Sequence, residues 1–380
     1  FAPRDSSGQP INAFYAKRRA KYEVATEMIQ VKGQSETHPA LSPNDEFAGF
    51  EQQYRNLIGT NPPVRGRVEY SYVRQALING VGYQEYLGEN PFKLGIVAGA
   101  DAHTAFSVNE EYNYTGAHGE VDATAQKRLS GAQQTAGEAA VNFGSAGATG
   151  VWAEENTREG IFNGIKNREC YGTSGPLIRL RFFGGWDYPK ELVTDDEFVK
   201  KAYADGVPMG QDLPALKAGA KAPTFAVWAL KDSDSGNLDR VQIVKGWYVN
   251  GYPQEKVYDV VWSDEEKREI DSEGRLTPVG NTVNIKEASY TNDIGATQLR
   301  TVWTDPDFDP ALHAVYYVRV LEIPTPRWST YDAKALGVAP PLGVAAAIQE
   351  RAWSSPIWYT PDSKLVKKAP NYPHLRQIFD

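Results

Sequence analysis

The chain has 380 residues, of which 41% are hydrophobic and 23% charged, and its formal net charge is −8. This length is enough for two domains or one large domain with a substantial core, whereas the negative charge argues against a general nucleic-acid binder, which needs a basic surface. A single cysteine excludes an intrachain disulfide and a cysteine-rich zinc site, and no stretch approaches the roughly 20 consecutive apolar residues of a membrane span.

The first half of the chain is predicted to alternate strands with helices. Apolar spacing and end signals predict helices over 13–21, around 45–55 and over 72–87. Short strands are predicted at 25–31 and 94–97, each followed by a polar loop. This order of strand, loop, helix and strand is typical of α/β barrels and doubly wound sheets.

A long segment rich in glycine, alanine, asparagine and threonine follows at 107–150. We expect helical stretches within it near 123–129 and 137–143. The residues after it show the spacing of an amphipathic helix over 157–168, for which Thr157 is the natural N-cap. The apolar face of this predicted helix consists of Ile161, Phe162 and Ile165.

After residue 176 the pattern changes to alternating apolar and polar residues separated by turn signals. Repeated strands with few helices predict a β-sandwich-like domain over 177–360, followed by an extended tail over 361–380. Six strands are predicted, at 177–183, 225–230, 240–249, 256–262, 314–321 and 355–359.

The sequence Gly-Ala-Asp-Ala-His directly follows the predicted strand at 94–97 and places Asp101 and His103 two positions apart. Residues just past the carboxyl end of a parallel strand face the active site in α/β folds. Side chains two apart on extended backbone point the same way, so one metal ion could contact both. Zinc sites need three or four ligands, so further ligands must come from elsewhere. The alternative is a structural aspartate beside an ordinary loop histidine.

The loop after the first predicted strand carries Lys32, Glu36 and His38. These residues line the same pocket as Asp101 if both loops lie on the same side of the sheet, and Lys32 would then stabilise an anionic substrate. The alternatives are a surface lysine and a solvated loop acid beside a histidine. His118 lies in the glycine-rich segment. It could act as an acid, a base or a ligand, and the alternative is an ordinary loop histidine.

Several segments resemble one family and run in that family's order along most of the chain. They lie at 32–39, 90–95, 99–103, 151–162, 168–176 and 352–359. As a set they resemble the DUF3604 family, whose members are similar to the PHP (polymerase and histidinol phosphatase) metal-dependent hydrolases. The resemblance implies a distorted α/β barrel, of which residues 1–176 are the C-terminal half, with an appended β-rich domain.

The same resemblance implies a chemistry and a set of site residues. The centre would hold about two or three divalent metals, zinc, manganese or iron, and hydrolyse a small anionic ester. In PHP-like proteins the Gly-x-Asp-x-His element supplies metal ligands. Together with the residue patterns above, we assign Asp101 and His103 to metal binding, Lys32, Glu36 and His38 to catalysis, and His118 and Arg168 to substrate binding.

One feature of the family pattern is missing. The pattern opens with a His-x-His strand, which this sequence lacks, and the chain begins with Phe1 rather than Met. We therefore expect a C-terminal portion whose metal centre is completed by residues N-terminal to it or by a second chain. The expected activity is hydrolysis of phosphate, phosphonate or sulfate esters, and the family resemblance favours a periplasmic or secreted location. The alternatives are a catalytically silent structural or binding subunit and a carbohydrate-binding β domain.

Overall fold

The computed structural model describes residues 1–52, 68–105, 109–119, 121–130, 139–366, 369 and 371–376. Helices in these ranges are α1 (Ala13–Tyr22), α2 (Val73–Leu87), α3 (Ala125–Leu129), α4 (Arg158–Lys166), α5 (Phe198–Asp205), α6 (Trp328–Leu336) and α7 (Pro373–Arg376). Strands are β1 (Ala25–Glu27), β2 (Ile29–Gln30), β3 (Gly33–Gln34), β4 (Gly95–Val97), β5 (Ala148–Val151), β6 (Cys170–Thr173), β7 (Arg179–Gly185), β8 (Gly206–Pro208), β9 (Thr224–Leu230), β10 (Leu238–Val249), β11 (Tyr252–Trp262), β12 (Gln298–Thr304), β13 (Ala314–Glu322), β14 (Thr325–Pro326), β15 (Ala347–Ile348), β16 (Arg351–Ser354) and β17 (Ile357–Tyr359).

Two antiparallel sheets make up the β-rich part of the molecule. The larger has the order β11-β10-β13-β16-β6-β5, with β17 also paired to β13, and the smaller has the order β12-β9-β7-β8. The turn between β10 and β11 is Asn250-Gly251, and both residues have positive φ, 52° and 83°. Asn-Gly is the sequence that a two-residue hairpin turn of this handedness favours. The prediction of a β-rich domain is confirmed.

One hydrophobic core is shared by the two sheets. Phe182 of β7 and Phe225 of β9 stack with ring centroids 5.5 Å apart, and Phe225 also contacts Tyr316 of β13 at 4.6 Å. These rings belong to a buried cluster that includes Val241 and Ile243 of β10. Aromatic pairs of this kind add to the free energy gained by burying their area.

The residues that the structure describes form no closed barrel, and their strand pairing does not support the predicted half of a PHP-like barrel. In a barrel every strand pairs on both sides with parallel neighbours. Here β1 and β4 form a parallel pair of their own, while β2 and β3 form a separate hairpin. Helix α2 covers the antiparallel sheet instead of a barrel, because its apolar face joins one core with Val244 and Val315.

Two helix predictions are wrong in detail. Residues 45–52 form turns rather than a helix, since Asp45 is held by buried arginines, and 53–55 lie outside the described residues. Helix α4 begins after Thr157, whose hydroxyl accepts a hydrogen bond from the Gly160 amide at 3.0 Å, so the predicted N-cap is confirmed. Two of the three residues of its predicted apolar face, Ile161 and Phe162, are exposed, Phe162 by 61%, because the helix packs through Gly164.

Strands from both sides of residue 176 share the larger sheet. β5 and β6 precede this position, and β6 pairs with β16. Leu94 and Ile96 likewise share a core cluster with Trp353. The division at 176 therefore stays a prediction. In the described part of the predicted tail, α7 places Leu375 in the same cluster.

None of the helices in the described ranges is long and apolar enough to cross a membrane.

Candidate functional site

The loops that follow β1 and β4 meet at one edge of the parallel pair. The Met28 amide donates to Val97 O at 2.8 Å, and the Val31 amide donates to Ala100 O at 3.1 Å. Carboxyl ends of parallel strands lie at the same edge, so each loop adds its side chains to a common surface. This backbone pairing brings Lys32 to Asp101.

Asp101 is held by two donors from the β1 side. Its Oδ2 accepts hydrogen bonds from Lys32 Nζ at 2.5 Å and from Gln30 Nε2 at 2.8 Å, and Lys32 also donates to the Asp101 carbonyl at 3.1 Å. The Asp101 backbone has a φ of 47°, in the left-handed region that non-glycine residues rarely adopt. The hydrogen bond from Lys32 lowers the pKa of Asp101, so the carboxylate is ionised at neutral pH.

Two histidines lie on the other side of this carboxylate. His103 Nε2 is 3.7 Å from Asp101 Oδ1, and the His103 and His118 rings meet edge to face with centroids 4.3 Å apart. Burial, with His103 nearby, lowers the pKa of His118. Nδ1 of His118 is buried and has no hydrogen-bond partner among the described residues. His118 is therefore a neutral imidazole at pH 7, the form that binds metal or accepts a proton.

The buried Asp122 carboxylate shapes the loop that presents His118. It accepts hydrogen bonds from the amides of Ala117 and His118, each at 2.7 Å. Gly116 precedes them with a φ of 90°, and a Cβ there would lie 2.6 Å from the Asp122 side chain. Only glycine satisfies both the conformation and the space. The His103 amide completes the link by donating to Ala117 O at 2.7 Å.

The donor chemistry at this edge fits part of a metal site. Carboxylate oxygen and imidazole nitrogen are ligands that zinc, manganese and iron(II) accept. The 3.7 Å between Asp101 and His103 is near the roughly 3.4 Å between two ligands of a tetrahedral ion with bonds of about 2.1 Å. Across the described ranges, no group of three or more His, Cys, Asp or Glu side chains is arranged to hold a metal ion. The positions of Asp101 and His103 are therefore compatible with two ligands of one ion, and a complete metal site would need further donors.

Glu36 lies in a buried ion network rather than beside Lys32. It is 2% exposed, and its carboxylate accepts hydrogen bonds from Arg74 Nη2 at 2.6 Å, Tyr317 OH at 2.7 Å, Trp353 Nε1 at 2.8 Å and Arg319 Nη1 at 3.0 Å. Burial alone would raise its pKa, but the two guanidinium groups outweigh burial and lower the pKa to about 2. These contacts tie the loop after β1 to α2 and to the large sheet. The catalytic assignment of Glu36 stays a prediction.

His38 and Arg168 also lie apart from Asp101. His38 Nδ1 accepts a hydrogen bond from the Ala40 amide at 3.0 Å, and its ring contacts Tyr72 at 5.7 Å. Arg168 packs against Gly95, the first residue of β4, whereas Asp101 follows the last. Of the seven predicted site residues, the structure brings four together: Lys32, Asp101, His103 and His118.

Gln30 and the arginines of the network were missed by the sequence analysis. Nothing in the sequence distinguishes Gln30 from the other glutamines, because its role depends on the pairing of β1 with β4. A signal did exist for Arg319, which lies within the apolar run of β13, whereas α2 carries several other polar residues beside Arg74. A buried arginine requires an acidic partner, and Glu36 and Asp45 are those partners.

Family comparison covers most of the chain. The model of a family described as a protein of unknown function, DUF3604, matches residues 1–361. No curated protein and no solved structure matches the chain. The match includes both sheets and also Lys32, Asp101, His103 and His118, the four residues that we call the Asp101 edge. The chain therefore belongs to the DUF3604 family.

Proposed function

We propose that this protein is a metal-dependent hydrolase of small anionic esters. Phosphate esters are the preferred candidate substrates, followed by phosphonate and sulfate esters. Asp101 and His103 would bind a divalent zinc, manganese or iron ion. The observation that carries the proposal is the convergence of an ionised carboxylate, two imidazoles and a lysine ammonium where two parallel strands end. The likeness to PHP hydrolases implied by the ordered segments supports the same chemistry.

The proposal includes a source for the missing ligands. The described residues supply a carboxylate and an imidazole in suitable positions, and a centre of about two or three ions needs more donors. We propose that these come from residues N-terminal to this chain or from a second chain, with this chain as the C-terminal portion of a PHP-like fold.

The roles of the chain's own residues follow from their contacts. A divalent ion bound at this edge would lower the pKa of a coordinated water and neutralise ester oxygens. Lys32 and Gln30 hold Oδ2 of Asp101, which leaves Oδ1 directed towards His103. Such partners fix the orientation of a metal ligand. Neutral His118, within one ring contact of His103, would accept a proton from the attacking water or donate it to the leaving group.

A second candidate function rests on the Lys32–Asp101 contact. The Lys32 ammonium lies 2.5 Å from the Asp101 carboxylate and neutralises its charge. The carboxylate therefore does not need a metal ion to balance its charge. A subunit that keeps this fold and binds a partner without catalysis would retain such a contact. Hydrolytic activity distinguishes this candidate from the first.

The activity test uses the natural full-length protein and a panel of nitrophenyl esters. The substrates are p-nitrophenyl phosphate, bis(p-nitrophenyl) phosphate, p-nitrophenyl phenylphosphonate and p-nitrophenyl sulfate, each with added zinc, manganese or iron(II). We expect turnover of at least one ester, loss of turnover after chelation, and recovery on return of the metal. Lack of turnover with every metal, or turnover that survives complete chelation, would contradict the proposal. p-Nitrophenyl acetate serves as the control for nonspecific esterolysis.

A further inference from the structure

An acidic, aromatic cavity lies outside the Asp101 edge. It has a volume of about 100 Å³, and none of Lys32, Asp101, His103 and His118 lines it. Its walls come from the segment after residue 108, the turn after β9, the start of β14 and the residue before β16. The residues that matter to its chemistry are Glu111, Asp232, Asp234, Tyr290, Tyr331 and Glu350.

Two glutamates in the cavity wall have unsatisfied oxygens. Glu350 is 2% exposed; its Oε2 accepts a hydrogen bond from the Ser174 hydroxyl, and its Oε1 is buried without a partner among the described residues. Glu111 is 9% exposed; its Oε2 accepts from the Trp328 amide, and its Oε1 is likewise unpartnered within the described ranges. Buried polar atoms are normally hydrogen-bonded, so unpartnered oxygens on two residues that line one cavity indicate a missing donor.

A third buried glutamate lies close enough to Glu350 for its charge to raise the pKa of Glu350. Glu322 is fully buried, and its Oε2 accepts from the Ser235 hydroxyl at 2.5 Å, while its Oε1 has no partner in the described part of the chain. Burial raises the pKa of Glu322 to about 8. Burial, followed by the charge of Glu111, also raises the pKa of Glu350. Burial therefore disfavours the ionised form of these acids, whereas a cation bound beside them would favour it.

The arrangement of the acids selects among cations. They belong to no group of three or more His, Cys, Asp or Glu side chains arranged around one ion, as far as the described residues show. These acids therefore do not provide the ligand set that a single metal ion needs. A guanidinium or alkylammonium group carries several N–H donors that reach separate carboxylate oxygens. Tyr290 and Tyr331 also line the cavity, and aromatic rings attract organic cations.

We infer that this cavity binds a small organic cation through a guanidinium or alkylammonium head group, held by Glu350 and Glu111 against the tyrosine rings. The inference is independent of the proposed hydrolase function, because the two sites share no residues. It also accounts for the retention of buried acids that cost free energy when left unpaired.

Calorimetric titration of the full chain tests this inference with a matched pair of ligands. Butylguanidinium is a cation, and butylurea is its neutral counterpart of the same shape. We expect one-to-one binding of butylguanidinium at least tenfold tighter than that of butylurea. Protons should be released on binding at pH 7, because cation binding ionises acids whose pKa is raised; buffers of different ionisation enthalpy measure this release.

Variants of the cavity wall complete the test. Glu350→Gln retains the size and the Ser174 contact, and Asp234→Asn changes an exposed wall residue; each should weaken butylguanidinium binding, Glu350→Gln at least tenfold. Glu265→Gln, exposed and outside the cavity, should leave binding unchanged. Equal binding of butylurea, no binding, unchanged binding by folded Glu350→Gln, or tighter binding of calcium than of the organic cation would overturn the inference. A blocked arginine tripeptide that binds better than butylguanidinium would assign the head group to a peptide side chain.

Discussion

Replacing Asp101 by asparagine is expected to lower kcat/KM for the hydrolysed ester by roughly 100-fold or more. Asparagine removes the charge that attracts a divalent ion and breaks the contact with Lys32 at 2.5 Å. Stability should hardly change, because the Asp101 side chain is 44% exposed and exposed ion pairs contribute about 0–1 kcal/mol. His103→Gln should show the same loss of activity with the same retention of stability.

The chain offers a matched control for this substitution. Lys93 and Asp212 form an ion pair of the same length, 2.5 Å, and similar exposure, but away from the Asp101 edge. Asp212→Asn should leave kcat/KM unchanged. Steady-state kinetics under saturating metal, with unfolding curves for each variant, make the comparison. Wild-type kinetics in a folded Asp101→Asn variant would remove Asp101 from the metal site.

Replacing Arg319 by methionine is expected to destabilise the fold by about 3–5 kcal/mol, the usual cost of removing one partner from a buried ion pair. Arg319 is fully buried and bonds both Glu36 and Asp45, with contacts of 3.0 and 2.7 Å. Its loss leaves two buried carboxylates with one guanidinium fewer. Urea unfolding measures the change. Arg275→Met, which removes an exposed pair with Glu273, should cost below about 0.5 kcal/mol.

Glu36 belongs to this buried network and is also one of the residues predicted to be catalytic. Its pKa is lowered to about 2 in the folded protein, so it stabilises the fold above the ordinary glutamate pKa, and this stability is lost as pH falls towards 2. Glu36→Gln should weaken this acid dependence. Near-normal turnover by the folded fraction of Glu36→Gln would make Glu36 structural, whereas loss of turnover in a well-folded variant would support catalysis.

The sequence predicts the Asp101 edge well because local signals determine it. An apolar run ending in small residues predicts β4, and the pairing of β1 with β4 then brings Lys32 to Asp101. His118 was the harder residue, since the segment at 107–150 has no period to show where it folds back. The position of His118 depends on tertiary contacts of the buried Asp122 and of Gly116, which no periodic pattern in the sequence reveals.

Local sequence patterns could not predict the buried ion network or the order of the strands in the sheets. Glu36 and Arg319 are far apart in sequence, and only the packing of α2 on the large sheet joins them. Alternation predicts strands but not their neighbours, so the pairing of β6 with β16 could not be foreseen. A strand followed by a helix was interpreted as a barrel unit, although α2 packs on an antiparallel sheet.

Metal content of the natural full-length protein, purified without chelators from metal-replete cells, tests the central claim most directly. Elemental analysis should find about two or three transition-metal ions per molecule in the wild type. Asp101→Asn should lose at least one ion, while Asp212→Asn should keep the wild-type content. A metal-free wild type, or equal metal content in folded Asp101→Asn and wild type, would contradict the assignment of Asp101 as a metal ligand.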